Sequence, residues 1–331
     1  MTGVESGRPN WISTGSLPPR DETQRLVDDA YERFRTLAEG EVADYIPSLA
    51  VASPDLFGIC LVDVSGYEYS AGDVAVPLTI QSISKPFVFA LICEALGTDR
   101  ARDLLGVNST GMAFNSVVAV EIHPDHVSNA MVNAGAIATT SLAEGETLED
   151  RWEFIRAGIS SFAGRELDVD DEVYRSESAS NARNQAIARL MRGHGRFYSD
   201  PEEATDLYTR QCSLLITARD LAIMGATLAD GGVNPVTRRR VVSEETCRRV
   251  LAVMATAGLY ETSGDWLYDV GLPGKSGVSG GLVTAAPGKG GCGTFSPPLD
   301  RAGNSVRGQM AARHLSDALG LNLFASREER V

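Results

Sequence analysis

Lysine is nearly missing from this chain of 331 residues: of 30 basic residues only Lys85, Lys275 and Lys289 are lysines. Arg keeps its proton in any protein setting, whereas a buried Lys gives one up readily. Each surviving lysine therefore needs a reason, and Lys289, inside a Pro-Gly-Lys-Gly turn, has an ordinary one. Histidine is scarce as well, and four of them leave little material for a His-rich metal centre. The five cysteines (Cys60, Cys93, Cys212, Cys247 and Cys292) are odd in number and show no CxxC spacing, so no zinc or redox motif is written here. Three lie in apolar runs, where a free thiol behaves as a small hydrophobe, and the compartment reads as reducing. No apolar run approaches 18 residues and the first thirty hold no signal-type core, so a cytoplasmic setting is expected. Positive charge is in deficit: a net charge of −14 argues against nucleic acid or an anionic membrane as the main partner.

The remainder fits one sizeable globular unit. Residues 1–20 are rich in Gly, Ser, Pro and Thr and read as a flexible leader. A helix is expected from Asp21 to about Ala38, with Leu26, Val27, Ala30, Tyr31 and Phe34 at helical spacing. A strand pair follows over Leu56–Val62 and Tyr67–Ser70. Residues 82–96 predict a helix apolar nearly all round, hence buried, with Gly97 ending it. Residues 98–260 are mostly helical, clearest over Leu221–Leu228 and Glu244–Met254. Short strands are expected beyond Trp266, including a hairpin of Gly281–Ala286 with Cys292–Phe295, before a closing helix at about Ser305–Leu319. Strands at both ends with helices between predict an α+β fold: one antiparallel sheet built from N- and C-terminal strands, flanked by helices, with a helical lobe inserted. Residues 21–325 should act as a single domain.

Ser82-Ile83-Ser84-Lys85 sets an alcohol and an amine three residues apart, on one face of the expected helix. A buried amine can shed its proton and activate the hydroxyl. Bringing it from about 10.4 to near 7–8 takes a shift of roughly 3 units, about 4 kcal/mol. With 28 serines and three lysines, a chance S-x-x-K is expected roughly one time in four, so the motif alone is weak. Ser84 is a rival nucleophile, but it adjoins Lys85 in sequence and lies off its face. The second element is Lys275-Ser276-Gly277 on a candidate strand. A K-[TS]-G strand lines the nucleophile in serine acyltransferases that carry S-x-x-K, and supplies an oxyanion-hole N–H. The two together are far more specific than either.

Other motifs carry less. Gly277-Val278-Ser279-Gly280-Gly281 fits G-x-S-x-G, but the strand-like Leu282-Val283-Thr284 follows where a helix is required. Gly274-Lys275-Ser276 resembles the end of a P-loop, yet Asp269 occupies the place of its first Gly. His123 and His126 lie in a loop with no thiol nearby and read as solvated. A glycine fingerprint for a nicotinamide or nucleotide is absent, and no cofactor or metal is expected.

From about Glu39 to Asn322 the chain resembles the serine-dependent glutaminases, a family of the β-lactamase/transpeptidase-like fold group. The resemblance rests on Glu41 through Pro47, Ser53 through Gly58, Gln81 through Lys85, Met131 through Ala136 and Gly271 through Gly281. Ser296-Pro297-Pro298-Leu299-Asp300 and Gly303-Asn304-Ser305-Val306 complete it. It implies hydrolysis of L-glutamine to L-glutamate and ammonia through a γ-glutamyl ester on Ser82, with Lys85 as base and Tyr260 as proton relay. It also implies an oxyanion hole from the N–H groups of Ser82 and Val278. Tyr45, Gln81, Asn133, Glu177, Asn184 and Tyr208, with Tyr260 and Val278, match substrate-binding positions, and a homodimer or homotetramer is implied. These roles suit a zwitterion, since Glu177 offers an anion to the ammonium and Asn133 and Asn184 offer neutral donors to the carboxylate. A β-lactamase or DD-peptidase would share Ser82, Lys85 and the K-S-G strand, but Ala130 stands where Ser128 would need Asn to complete S-x-N. A catalytically silent binding protein could dispense with Ser82, Lys85 or Tyr260, and all three are present.

Overall fold

The computed structural model describes residues 15–44 and 49–325. Strand β1 (Gly58–Asp63) alternates its side chains between two cores. Ile59 and Leu61 pack with Val27, Ala30, Phe34, Ala311 and Leu315, while Cys60 and Val62 meet Ala222 and Ala226 on the opposite face. Such two-sided burial follows from the period of two along a strand. The remaining strands are β2 (Glu68–Gly72), β3 (Leu78–Thr79), β4 (Leu215–Ile216), β5 (Gly274–Ser276), β6 (Gly281–Ala286) and β7 (Gly290–Phe295). Five of them form one sheet in the order β2-β1-β7-β6-β5, with every neighbour antiparallel. β1 pairs with β7 from Gly58↔Phe295 to Asp63↔Gly290. The two ends of the chain therefore meet at the middle of the sheet, as the α+β reading requires.

Helix α1 (Arg20–Phe34) begins at the expected place but stops four residues before Ala38. Its chain turns through Gly40, at φ +96°, to bring Glu41 into a bridge with Leu299. A Cβ on Gly40 would lie 2.7 Å from the Leu299 carbonyl oxygen, so only glycine fits this turn. Helix α2 (Ser84–Leu96) leads into a lobe of α3 (Thr98–Leu105), α4 (Val118–Ile122), α5 (Asn133–Thr140), α6 (Leu148–Ala163), α7 (Asp171–Ala179), α8 (Ala182–Gly193), α9 (Pro201–Cys212), α10 (Ala218–Ala229) and α11 (Glu244–Ala257). α12 (Ser263–Asp269) occupies part of the stretch where strands were expected, and α13 (Val306–Ala318) closes the fold.

α10 lies on one face of the sheet; α1 and α13 cover the other. The contact with α10 is backbone on backbone. A Cβ at Gly293 would sit 2.2 Å from the Ala218 carbonyl oxygen, and one at Gly291 2.1 Å from the Ala226 nitrogen. These two glycines let the helix settle directly onto β7. The ribbon β3–β4, Leu78↔Ile216 and Thr79↔Leu215, ties the approach to α2 to the far end of the lobe. All five cysteines are free and buried. Among the described residues no helix is long and apolar enough to cross a membrane.

Candidate active site

Ser82 does not stand on the α-helix expected for it. It lies on a 3-10 turn, Gln81–Ile83, which passes directly into α2 with Ser84 as the first residue. Gln81 adopts φ +50°, a left-handed conformation for a residue with a side chain, and this sharp entry breaks the regular helix. Ser84 turns away from a nucleophile's role: its hydroxyl donates to the Gln81 carbonyl at 2.8 Å and accepts from Gln211 Nε2.

Lys85 is fully buried on the first turn of α2. Its Nζ donates to Asn133 Oδ1 at 2.8 Å and to the Met131 carbonyl at 3.4 Å. No carboxylate offsets the lost hydration among these partners, so burial pulls the amine down to about 7. Lys275, on β5, is buried as completely. Its Nζ donates to the Ser276 carbonyl at 2.7 Å and stands 4.4 Å from the centre of the Tyr260 ring. Burial, reinforced by the charge of Lys85, holds Lys275 well below the usual lysine range. The two motifs singled out in the sequence meet here. A Cβ on Gly277 would lie 3.1 Å from the Ile80 carbonyl oxygen and 3.0 Å from Ile83, so the end of β5 rests on the turn that carries Ser82.

Tyr260 opens a second 3-10 turn, Tyr260–Thr262, and is itself left-handed at φ +56°. Its hydroxyl donates to the Ser276 carbonyl at 3.2 Å. Phe114 packs against its ring, with ring centres 4.7 Å apart.

A cavity of about 960 Å³ opens over these elements, lined by Gln81, Ser82, Asn133, Glu177, Asn184, Tyr208 and Val278 among others. Tyr45 lies outside the described residues. Glu177 comes from α7, Asn184 from α8, Tyr208 from α9 and Asn133 from the start of α5, so four helices of the lobe converge. Their side chains are linked. Asn133 Nδ2 donates to Asn184 Oδ1 at 3.0 Å, Tyr208 donates to Asn133 Oδ1 at 3.4 Å, and Gln81 Nε2 donates to Glu177 Oε1. Burial raises Glu177 to about 7 against the opposing pull of the Gln81 hydrogen bond. A cation entering the cavity would find an acid ready to ionise. Burial also raises Tyr208 well above its ordinary value, so it acts as a neutral donor. The arrangement suits attack by an alcohol on a neutral carbonyl compound that carries an ammonium and a carboxylate.

Phe114, Asn115 and Arg183 also belong to the cavity wall, and no motif in the sequence marks them. Arg183 Nε donates to the Asn115 carbonyl at 3.1 Å and fastens that wall. Asp300 and Gly303 also line the cavity; their blocks stood out in sequence without a role attached. His123 and His126 lie elsewhere, and His126 stacks on His194 at 3.8 Å. Among the described residues no three His, Cys, Asp or Glu side chains come together as a metal site.

Residues 40–324 match a family model described as Glutaminase. A protein named Glutaminase 2 from Yersinia pestis is 59% identical over 317 residues, which cover 96% of this chain and 93% of that one. A solved structure described as a probable glutaminase, ybaS, superposes with a TM-score of 0.92 at 46% identity, covering 93% of this chain and 100% of the other. A probable glutaminase from Bacillus subtilis, complexed with 6-diazo-5-oxo-L-norleucine, superposes with a TM-score of 0.83 at 30% identity, covering 94% and 100%.

Proposed function

Since this chain belongs to the glutaminase family, we propose that it hydrolyses L-glutamine to L-glutamate and ammonia through a γ-glutamyl ester on Ser82. The observation that carries this reading is the buried amine of Lys85, held near 7 three residues after Ser82. Neutral Lys85 takes the proton from Ser82 Oγ as that oxygen attacks the side-chain amide carbon. The N–H groups of Ser82 and Val278 receive the developing oxyanion. Tyr260 hands a proton to the leaving nitrogen, the C–N bond breaks and ammonia departs. Water then attacks the ester carbon and gives its proton to the Tyr260 oxygen; the bond to Ser82 Oγ breaks, Lys85 returns the proton it took to that oxygen, and L-glutamate is released.

Substrate recognition follows from charge. Glu177 takes the α-ammonium, and Asn133, Asn184 and Tyr208 surround the amino-acid end beside Gln81. Tyr45 completes the set by resemblance alone. The Bacillus subtilis relative supports the same substrate shape, because its ligand carries a diazomethyl ketone where glutamine carries the amide. A cytoplasmic setting, residues 21–325 as one catalytic unit and a homodimer or homotetramer belong to the same reading.

Ammonia release from L-glutamine, measured for the wild type and for Ser82→Ala, tests it. Release by the wild type and none above background by the variant is expected. Silence of the wild type, or equal release by both, overturns the assignment of Ser82, and turnover of a chromogenic cephalosporin instead would point to a β-lactamase.

A further inference from the structure

Only four non-glycine residues among those described take a positive φ: Gln81, His126, Arg238 and Tyr260. An aromatic residue at such a φ is strained and persists only where its surroundings over-determine it. What surrounds the Tyr260 backbone is a chain of side-chain hydrogen bonds. Ser263 Oγ donates to the Tyr260 carbonyl at 2.7 Å and accepts from the Leu259 N–H at 3.0 Å. Thr262 Oγ1 donates to the Leu259 carbonyl at 2.8 Å. The same Thr262 oxygen accepts from Asn304 Nδ2 at 3.0 Å, and Asn304 is completely buried.

Asn304 is held in turn by its loop. Asp300 Oδ1 accepts from the N–H groups of Ala302 and Asn304, both at 2.9 Å, and Oδ2 accepts from Gln309 at 2.9 Å. This carboxylate staples residues 300–304 into a tight turn. Gly303, at φ +95°, then faces the site closely enough that a Cβ there would touch both Val278 and the Tyr260 ring. The two sequence blocks that had no role, Ser296–Asp300 and Gly303–Val306, thus build a bracket behind Tyr260.

We infer that Thr262 and Asn304 are positioning residues for catalysis. Together they lock the left-handed turn at Tyr260 and so fix where its phenol points, with Asp300 shaping the loop that delivers Asn304. This rests on Tyr260 being the proton relay. Thr262 and Asn304 are not among the residues that line the cavity, so the pair acts on proton transfer through Tyr260 and does not touch glutamine itself.

Thr262 is half-buried, so Thr262→Val removes the hydroxyl at constant shape without opening a core cavity. Asn304→Asp is the second, nearly isosteric probe, and Thr262→Ser is the rescue. Each is measured for kcat and KM on L-glutamine, alone and combined with Tyr260→Phe, with circular dichroism to verify folding. Thr262→Val and Asn304→Asp should each lower kcat about tenfold, the worth of one neutral hydrogen bond, with KM within about twofold. Thr262→Ser should keep wild-type kcat. In the Tyr260→Phe background neither substitution should cost more than about twofold further, because the group being positioned is gone. Losses that multiply with Tyr260→Phe, or that fall on KM, overturn the positioning role. A Tyr260→Phe enzyme of full activity overturns the relay itself, a result distinguishable from the first.

Discussion

Replacing Lys85 with methionine should leave the protein inactive and more stable. The amine is fully buried, and burial brings it from 10.5 to about 7. At 1.36 kcal/mol per unit, that displacement corresponds to about 5 kcal/mol of stability forfeited at pH 7. The sign follows from the two states. Unfolded, the amine keeps its proton up to 10.5; folded, it keeps it only below about 7. Above 10.5 both states are neutral and there is no penalty. Between 10.5 and 7 the penalty grows as pH falls, and below 7 it is complete. Methionine is unbranched, adaptable and uncharged, and fills similar space. Against its gain stand the lost bonds to Asn133 Oδ1 and the Met131 carbonyl, about 1–2 kcal/mol in all. A net gain of about 3 kcal/mol is expected at pH 7, shrinking and then reversing near pH 10. Urea unfolding of both proteins at pH 7 and pH 10, beside ammonia release, measures it. A variant no more stable than wild type at pH 7, a gap indifferent to pH, or surviving glutaminase activity would refute the reasoning.

Acid should silence the enzyme steeply. The proposed mechanism needs Lys85 neutral and Glu177 ionised, and both titrate near 7, so kcat/KM should drop towards a hundredfold per pH unit below about 6. Glu177→Gln should halve that slope on a logarithmic plot and raise KM roughly 10- to 100-fold; an unchanged slope counts against Glu177 as the ammonium partner. Asn133→Asp places a carboxylate 2.8 Å from Lys85 and should restore the proton to the amine, moving the acid limb of kcat upward by about one pH unit or more. A pH profile that stays in place would sever Lys85 from the rate. Gly293→Val forces a side chain into the backbone of α10 and should cost about 3 kcal/mol or more in urea unfolding; a loss under about 1 kcal/mol would contradict the direct seating of that helix on β7.

The sheet was legible because its strands obey simple rules. Leu56–Val62, Tyr67–Ser70 and Gly281–Phe295 show alternation or apolar runs around turn residues, and all of them recur in the sheet. β3 and β4 were not legible, since two residues each cannot establish a period. The rarity of lysine flagged Lys85 and Lys275, and both prove fully buried. What sequence spacing could not convey was backbone strain. Nothing local in Gln81-Ser82 or Leu259-Tyr260 announces a positive φ, because long-range bonds to Glu177 and Asn304 accompany those conformations. Glu177, Asn133 and Asn184 had no motif of their own either; resemblance nominated them, and the lobe gathers them across some 50 residues of chain.

The pairing of β1 with β7 also fixes an order of events during synthesis. β1 emerges from the ribosome about 230 residues before its principal neighbour. At about 5–20 residues per second, that leaves its inner edge unpaired for roughly 10–50 s. Over the same interval β5 and Tyr260 are missing from beside the turn that carries Ser82. A nascent chain cut short before Gly274 would carry its serine and its lysine without the strand that faces them and still leave glutamine untouched, so activity waits for β5 and the elements that follow it.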